Sequence, residues 1–104
     1  MGKNRDIKSL IRSLVSIVVH EIVARHTNRP ESKLFLKKEA VEYRAQAEKA
    51  SDLHNWNEQD KINIREKAIK EVKRRMILKY PDVFFDEEEI SSIIDDEIKK
   101  LGFD

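Results

Sequence analysis

Leu10-Ile11-Arg12-Ser13-Leu14-Val15-Ser16-Ile17-Val18-Val19-His20-Glu21-Ile22-Val23 is the stretch on which the fold turns. With Ile7 before it, Leu10, Ile11, Leu14, Ile17, Val18 and Ile22 recur at spacings of three and four, the period of a helix with one apolar face. Val15, Val19 and Val23 widen that face beyond an ordinary amphipathic stripe. The strip left over holds Ser9, Ser13, Ser16, His20 and Ala24, mostly small residues that let another helix approach closely. Arg12, His20 and Glu21 interrupt the stretch, and it falls short of the roughly 20 apolar residues a membrane-spanning helix needs. The pattern predicts a first helix from about Asn4 or Arg5 to His26, either central to a helical domain or buried by a second copy of the chain.

Outward from this helix, Gly2, Pro30, Pro81 and Gly102 are the strong backbone punctuators, and all fall at the ends or between periodic segments. Asn28 as cap and Pro30 in the first turn predict a second helix to about Leu53. Its seam of Leu36, Ala40, Tyr43, Ala47 and Ala50 is small and favours close antiparallel packing. The polar stretch Ser51 to Asp60, with His54 and Trp56, reads as the main loop. A third helix is expected over about Glu58 to Lys79, with Ile62, Ile69, Val72, Met76 and Tyr80 on one side. Glu66 with Lys70 and Glu71 with Arg75 would be its supporting ion pairs. Tyr80-Pro81 ends it. For the fourth helix, Asp86 is the cap, Glu89 the return partner of a capping box, Phe85 and Ile90 a hydrophobic staple, and Gly102 the C-terminal cap. Ile90, Ile93, Ile94, Glu97, Ile98 and Leu101 form its stripe. These readings together predict one all-α domain over residues 1–104, about four helices in a mostly antiparallel bundle.

Charge is divided unevenly along the chain. Asp82 to Asp104 carries nine acidic and two basic residues, net −7, whereas Met1 to Pro81 carries nineteen basic and eleven acidic, net +8. The total of +1 hides a basic body with an acidic end. An acidic end joined to a basic body through Pro81 can compete with acidic partners for the same cations, and the alternative is a capped, solvated helix start; tighter binding to acidic partners after Glu87, Glu88, Asp95 and Asp96 are neutralised separates the two. The absence of cysteine removes disulfides, thiolate nucleophiles and Cys-ligated zinc and fits a reducing compartment. With no cleavage site of small residues after the apolar run, a signal peptide is not expected, and the cytoplasm is the expected location.

Few residues suggest covalent chemistry. His20-Glu21 is followed by His26, but a zinc-protease helix needs two His four residues apart, and the fourth position after His20 is Ala24. Six residues turn His26 about 240° away around the helix. His54 has only Asp52 near it and reads as a solvated loop residue. The acidic run from Asp86 to Glu89 lacks the calcium-loop pattern and reads as capping and solvation. No catalytic residue, metal site or cofactor is expected.

Basic residues carry more. Lys3, Arg5, Lys8 and Arg12 load the start of the first helix, and Lys70, Arg74 and Arg75 belong to a run of cations along the third. Phosphate contact needs such clustering. The third-helix cations spread around much of the wheel, however, and Glu66 and Glu71 interrupt them, which is the pattern of a solvated face.

From Lys38 to Phe103 the order Ala40-Val41-Glu42-Tyr43, Ala47-Glu48, Lys67-Ala68-Ile69, Tyr80-Pro81-Asp82 and Glu87-Glu88-Glu89-Ile90-Ser91-Ser92-Ile93-Ile94-Asp95 resembles the soluble C-terminal part of the phage LL-H type holins. The resemblance implies two helices, a proline-bearing connection and an acidic, isoleucine-rich last helix. Holins of that type carry a membrane-spanning N-terminal helix, so the resemblance implies a phage or mobile-element origin and not lysis-pore activity.

The function expected from these residues is that of a non-catalytic interaction or assembly protein. Val15, Val19, Val23 and Trp56 are its expected partner-binding residues, and Asp at Val15 or Val19 should weaken association more than folding. The alternative is a nucleic-acid-binding helical protein that uses Lys3, Arg5, Lys8, Arg12, Lys70, Arg74 and Arg75.

Overall fold

The structure, a computed structural model, describes residues 2–52 and 56–101, with side chains from Arg5 onward. It is all-α, with helices α1 (Gly2–His26), α2 (Pro30–Ser51), α3 (Glu58–Lys79) and α4 (Glu87–Lys100), and no strand occurs among the described residues. The molecule measures 41 × 23 × 23 Å. No described helix is long and apolar enough to cross a membrane.

The broad apolar face of α1 has an intramolecular explanation. α1 is the axis of the domain and packs on α2, α3 and α4, whereas α2 approaches neither α3 nor α4 along the backbone. Leu10, Leu14, Val15, Ile17, Val18 and Ile22 are fully buried as a result. Side-chain neighbours give the directions. Tyr43 lies beside His20 and Gln46 beside Ser13, so α2 runs antiparallel to α1. Lys67 faces Lys8 and Arg75 meets Ser16, so α3 runs parallel to α1. Arg65 meets Asp95 and Lys73 meets Glu87, so α4 runs antiparallel to α3. Each helix thus reverses the one before it.

Local rules account for most boundaries. Asn57 accepts from the Asp60 amide at 2.8 Å while its own amide donates to the Asp60 carboxylate at 3.2 Å, a reciprocal box that starts α3. The Asn-x-x-Asp spacing of this box is a local signal, and it sets the start of α3 one residue after Asn57. Asp86 accepts from the Glu89 amide at 2.7 Å and caps α4 as expected. Glu89 does not complete that box, because its carboxylate turns to His26 and Arg25 at the end of α1, at 3.3 and 3.7 Å. Asn28 is not the cap of α2. Pro30 occupies the first turn, which puts Arg29 at the capping position, and no side chain caps there. The end of α2 comes at Ser51, short of the expected Leu53, which, like His54 and the cap expected at Gly102, lies outside the described residues.

The apolar stripe of α3 is also rephased. Ile64, Ala68, Val72 and Met76 are buried, Ile69 packs against the core from its edge, and Ile62 is exposed. Positions 62 and 64 differ by about 200° around a helix, so only one of them can face α1. The regular four-residue spacing from Ile64, through a small Ala68, lets α3 lie close to the axis. On α4 the stripe is as expected, with Ile90, Ile93, Ile94 and Ile98 buried and Glu97 among them.

Candidate nucleic-acid interface

The residues expected to bind a protein partner are mostly interior. Val15 and Val19 are core residues, Val23 packs against that core, and Trp56 plugs it beside the loop while donating its indole N–H to the Ser51 carbonyl at 2.8 Å. The apolar surface expected on α1 is therefore corrected, because α2, α3 and α4 cover it. Three neighbours suffice because α1 is central and each neighbour takes a different flank.

The cations behave differently. Lys8 and Arg12 of α1 come alongside Lys67, Lys70 and Arg75 of α3 around one concavity of about 420 Å³. A second concavity of about 450 Å³ opens between α2 and α3, and Arg12 and Arg75 border both. Two helices that are remote in sequence thus contribute to one continuous basic strip. Parallel packing of α1 and α3 places their cations side by side, which a wheel drawn for either helix alone cannot reveal. Arg5 is exposed at the start of α1, and the side chain of Lys3 lies outside the described residues.

Ion pairing sorts the strip internally. Glu71 is its acidic member and pairs with Arg74, the Nε donating at 2.9 Å, and not with Arg75 as the four-residue spacing suggested. Hydrogen bonding to Arg74 holds the Glu71 carboxyl below the ordinary carboxylate range, and the same bond raises the Arg74 guanidinium. Arg75 instead donates to the Ser16 hydroxyl across the helix interface at 3.1 Å. Arg75 forms no side-chain ion pair among the described residues, although its charge helps to hold the Glu71 carboxyl low. Among the described residues, Lys8, Arg12 and Lys70 form no side-chain ion pair.

Four of the six carboxylates of α4 pair elsewhere. Asp95 takes Arg65 at 2.7 Å, which raises that guanidinium, and Glu87 takes Lys73. Glu97 takes Arg44 at 2.6 Å, and Glu89 takes the end of α1. Arg74 sits about 180° around α3 from Arg65, so a carboxylate on the α4 side cannot reach both. Ile90 and Ile94 anchor the acidic end in the core, and the ion pairs of Glu87, Glu89, Asp95 and Glu97 go to other cations of the body than those of the strip.

The histidines take local roles. His20 bonds the Ser16 carbonyl through Nδ1 at 2.6 Å and lies against Tyr43, ring centroids 5.4 Å apart. Among the described residues no group of His, Asp and Glu side chains is placed to hold a metal ion. Scanned against protein-family models, curated proteins and solved structures, the chain finds no match.

Proposed function

We propose that the protein is a non-catalytic nucleic-acid-binding protein whose α1–α3 strip neutralises backbone phosphates. One observation carries this reading: Arg12 and Arg75, from different helices, border both concavities and join Lys8, Lys67 and Lys70 into one surface that α4 leaves open. Fixed cations in such a row release counterions from the polyanion, which is the main source of sequence-independent affinity.

The test is a salt titration of binding by fluorescence anisotropy. If Lys8, Arg12, Lys70 and Arg75 each meet one phosphate, log K against log salt has a slope of about −3 to −4. Arg12→Glu with Lys70→Glu reduces the slope by about 2. Arg74 is a poorer choice for this test because Glu71 already holds it. No binding to duplex or single strand at low salt rejects the reading.

Glu71 gives a change of opposite sign. Glu71→Gln removes the carboxylate of the strip and frees Arg74, so polyanion affinity rises roughly two- to fivefold, the scale of an exposed pair. Because the Glu71 carboxyl is held low, it stays ionised at neutral pH. Its stabilising pair is present above the unfolded carboxylate value and is lost only as pH falls through the lowered one. Wild-type affinity therefore gains nothing from Glu71 between pH 8 and about 5, and a mutant advantage that vanishes across that window contradicts the assignment.

A protein partner is a second reading, kept by Leu34, Phe35 and Phe84, which are 71%, 61% and 88% exposed. Self-association at micromolar concentration by light scattering, abolished by Phe35→Ser, supports it; a monomer at all concentrations removes the self-association form of it.

A further inference from the structure

We propose that the concavity between α2 and α3 seats one unpaired base, so that the protein prefers single-stranded nucleic acid to duplex; this rests on the nucleic-acid reading above. The recess exists because α2 packs on α1 alone and never closes on α3. Its floor is Ser13 and Ser16, too small to fill the gap, and its rims carry Gln46 on one side and Arg75 on the other. Apolar residues at those rim positions would have drawn the two helices together. Polar and charged ones keep them apart in water.

The lining has three chemistries, and together they match a nucleotide better than they match a bare phosphate. Tyr43 and Leu78 offer an aromatic ring and an apolar surface, and Leu78 stands 66% exposed at the rim. Gln46 offers a carboxamide, both donor and acceptor, as a base edge requires. Arg12, Arg75 and Lys79 supply cations at the mouth for the flanking phosphates. Tyr43 is braced by His20 with the rings tilted 48°, and Arg75 is tethered to Ser16 at 3.1 Å. Little ordering therefore remains to be done on binding. A volume of about 450 Å³ lies within the range of roughly 300 to 1,000 Å³ of small-ligand sites. Phosphates of a duplex would use only the open strip, because paired bases are stacked inside the helix. An unpaired base can leave its strand and stack on an aromatic or apolar surface.

Anisotropy with the full chain at one salt concentration separates the possibilities. The probes are a short labelled single strand, its duplex, and an abasic single strand of the same length. The intact single strand is expected to bind at least about fivefold tighter than the abasic strand, since stacking of one base is worth roughly 5- to 100-fold. Tyr43→Leu keeps most of the side-chain bulk and is expected to remove that advantage, leaving duplex affinity within about twofold. Leu78→Ala and Gln46→Ala, at exposed positions that cannot unfold the core, are expected to lower intact-strand affinity in the same selective way. If Tyr43→Leu loses its circular dichroism, these two variants carry the test. Equal binding of all three probes, or an advantage untouched by the rim variants, overturns the base seat while the phosphate strip stands. Failure of every probe to bind at low salt overturns both.

Discussion

Val15→Asp is expected to unfold the domain at 25 °C or to lower its thermal midpoint by tens of degrees, whatever its state of association. Val15 is fully buried between α1 and its neighbours. The change forfeits about 1.5 to 3 kcal/mol of apolar burial and forces a carboxylate into the core without a partner, at several kcal/mol more. A domain of this size has about 5 to 15 kcal/mol in all. Far-ultraviolet circular dichroism is expected to lose most of its helical signal, or the thermal midpoint to fall by tens of degrees if the carboxyl is protonated in place. The sequence reading expects association to weaken more than folding, because it sees an apolar face without seeing what covers it. A folded Val15→Asp chain with weakened self-association would restore that reading and contradict the packing.

Arg44→Met is the second large effect. Glu97 lies on the isoleucine stripe of α4, only 3% exposed, and Arg44 grips both its oxygens, at 2.6 and 3.0 Å. Hydrogen bonding to Glu97 raises the Arg44 guanidinium, so the pair holds its positive member at every accessible pH. Glu21 approaches the same guanidinium at 3.9 Å. No backbone approach links α2 to α4, which makes this bidentate contact their tie. Removing the arginine leaves a buried carboxylate, a change that costs roughly 3 to 5 kcal/mol when nothing compensates. Lys100, at 3.3 Å from Oε2, and the partial exposure of Arg44 reduce this to about 2 to 3 kcal/mol. Urea denaturation measures it. Adding Glu97→Leu to Arg44→Met is expected to recover most of the loss, since an apolar pair suits the stripe. A double variant no more stable than the single one would mean that the arginine acts through packing and not through the buried charge.

Much of this molecule is written locally. The helix period along Leu10 to Val23, the proline at the start of α2, the Asp86 cap and the isoleucine stripe of α4 depend on neighbours within a turn or two, so they survive in any tertiary setting. Glu97 on that stripe was a visible anomaly, an acid among isoleucines, and it asked for a cation. Which cation answered was invisible, because Arg44 reaches it only after two helices have docked. The phase of α3 was ambiguous for a related reason, since Ile62 and Ile64 are equally apolar and only the approach of α1 chooses between them.

The candidate site divides in the same way. Lys8, Arg12, Lys70 and Arg75 were recognisable as cations on two helices, but their union into one strip required α1 and α3 to run parallel in contact. The recess beside it required α2 to stop short of α3, a gap that no residue of the groove encodes alone. By itself the sequence determined four helices, the Asp86 cap and the separation of charge along the chain, because propensity, capping and periodicity act over a few residues. Tertiary structure alone decided that α1 is covered from within, that Glu87, Glu89, Asp95 and Glu97 pair with cations outside the strip, and that a groove remains open, because burial and ion pairing are settled between surfaces remote in sequence.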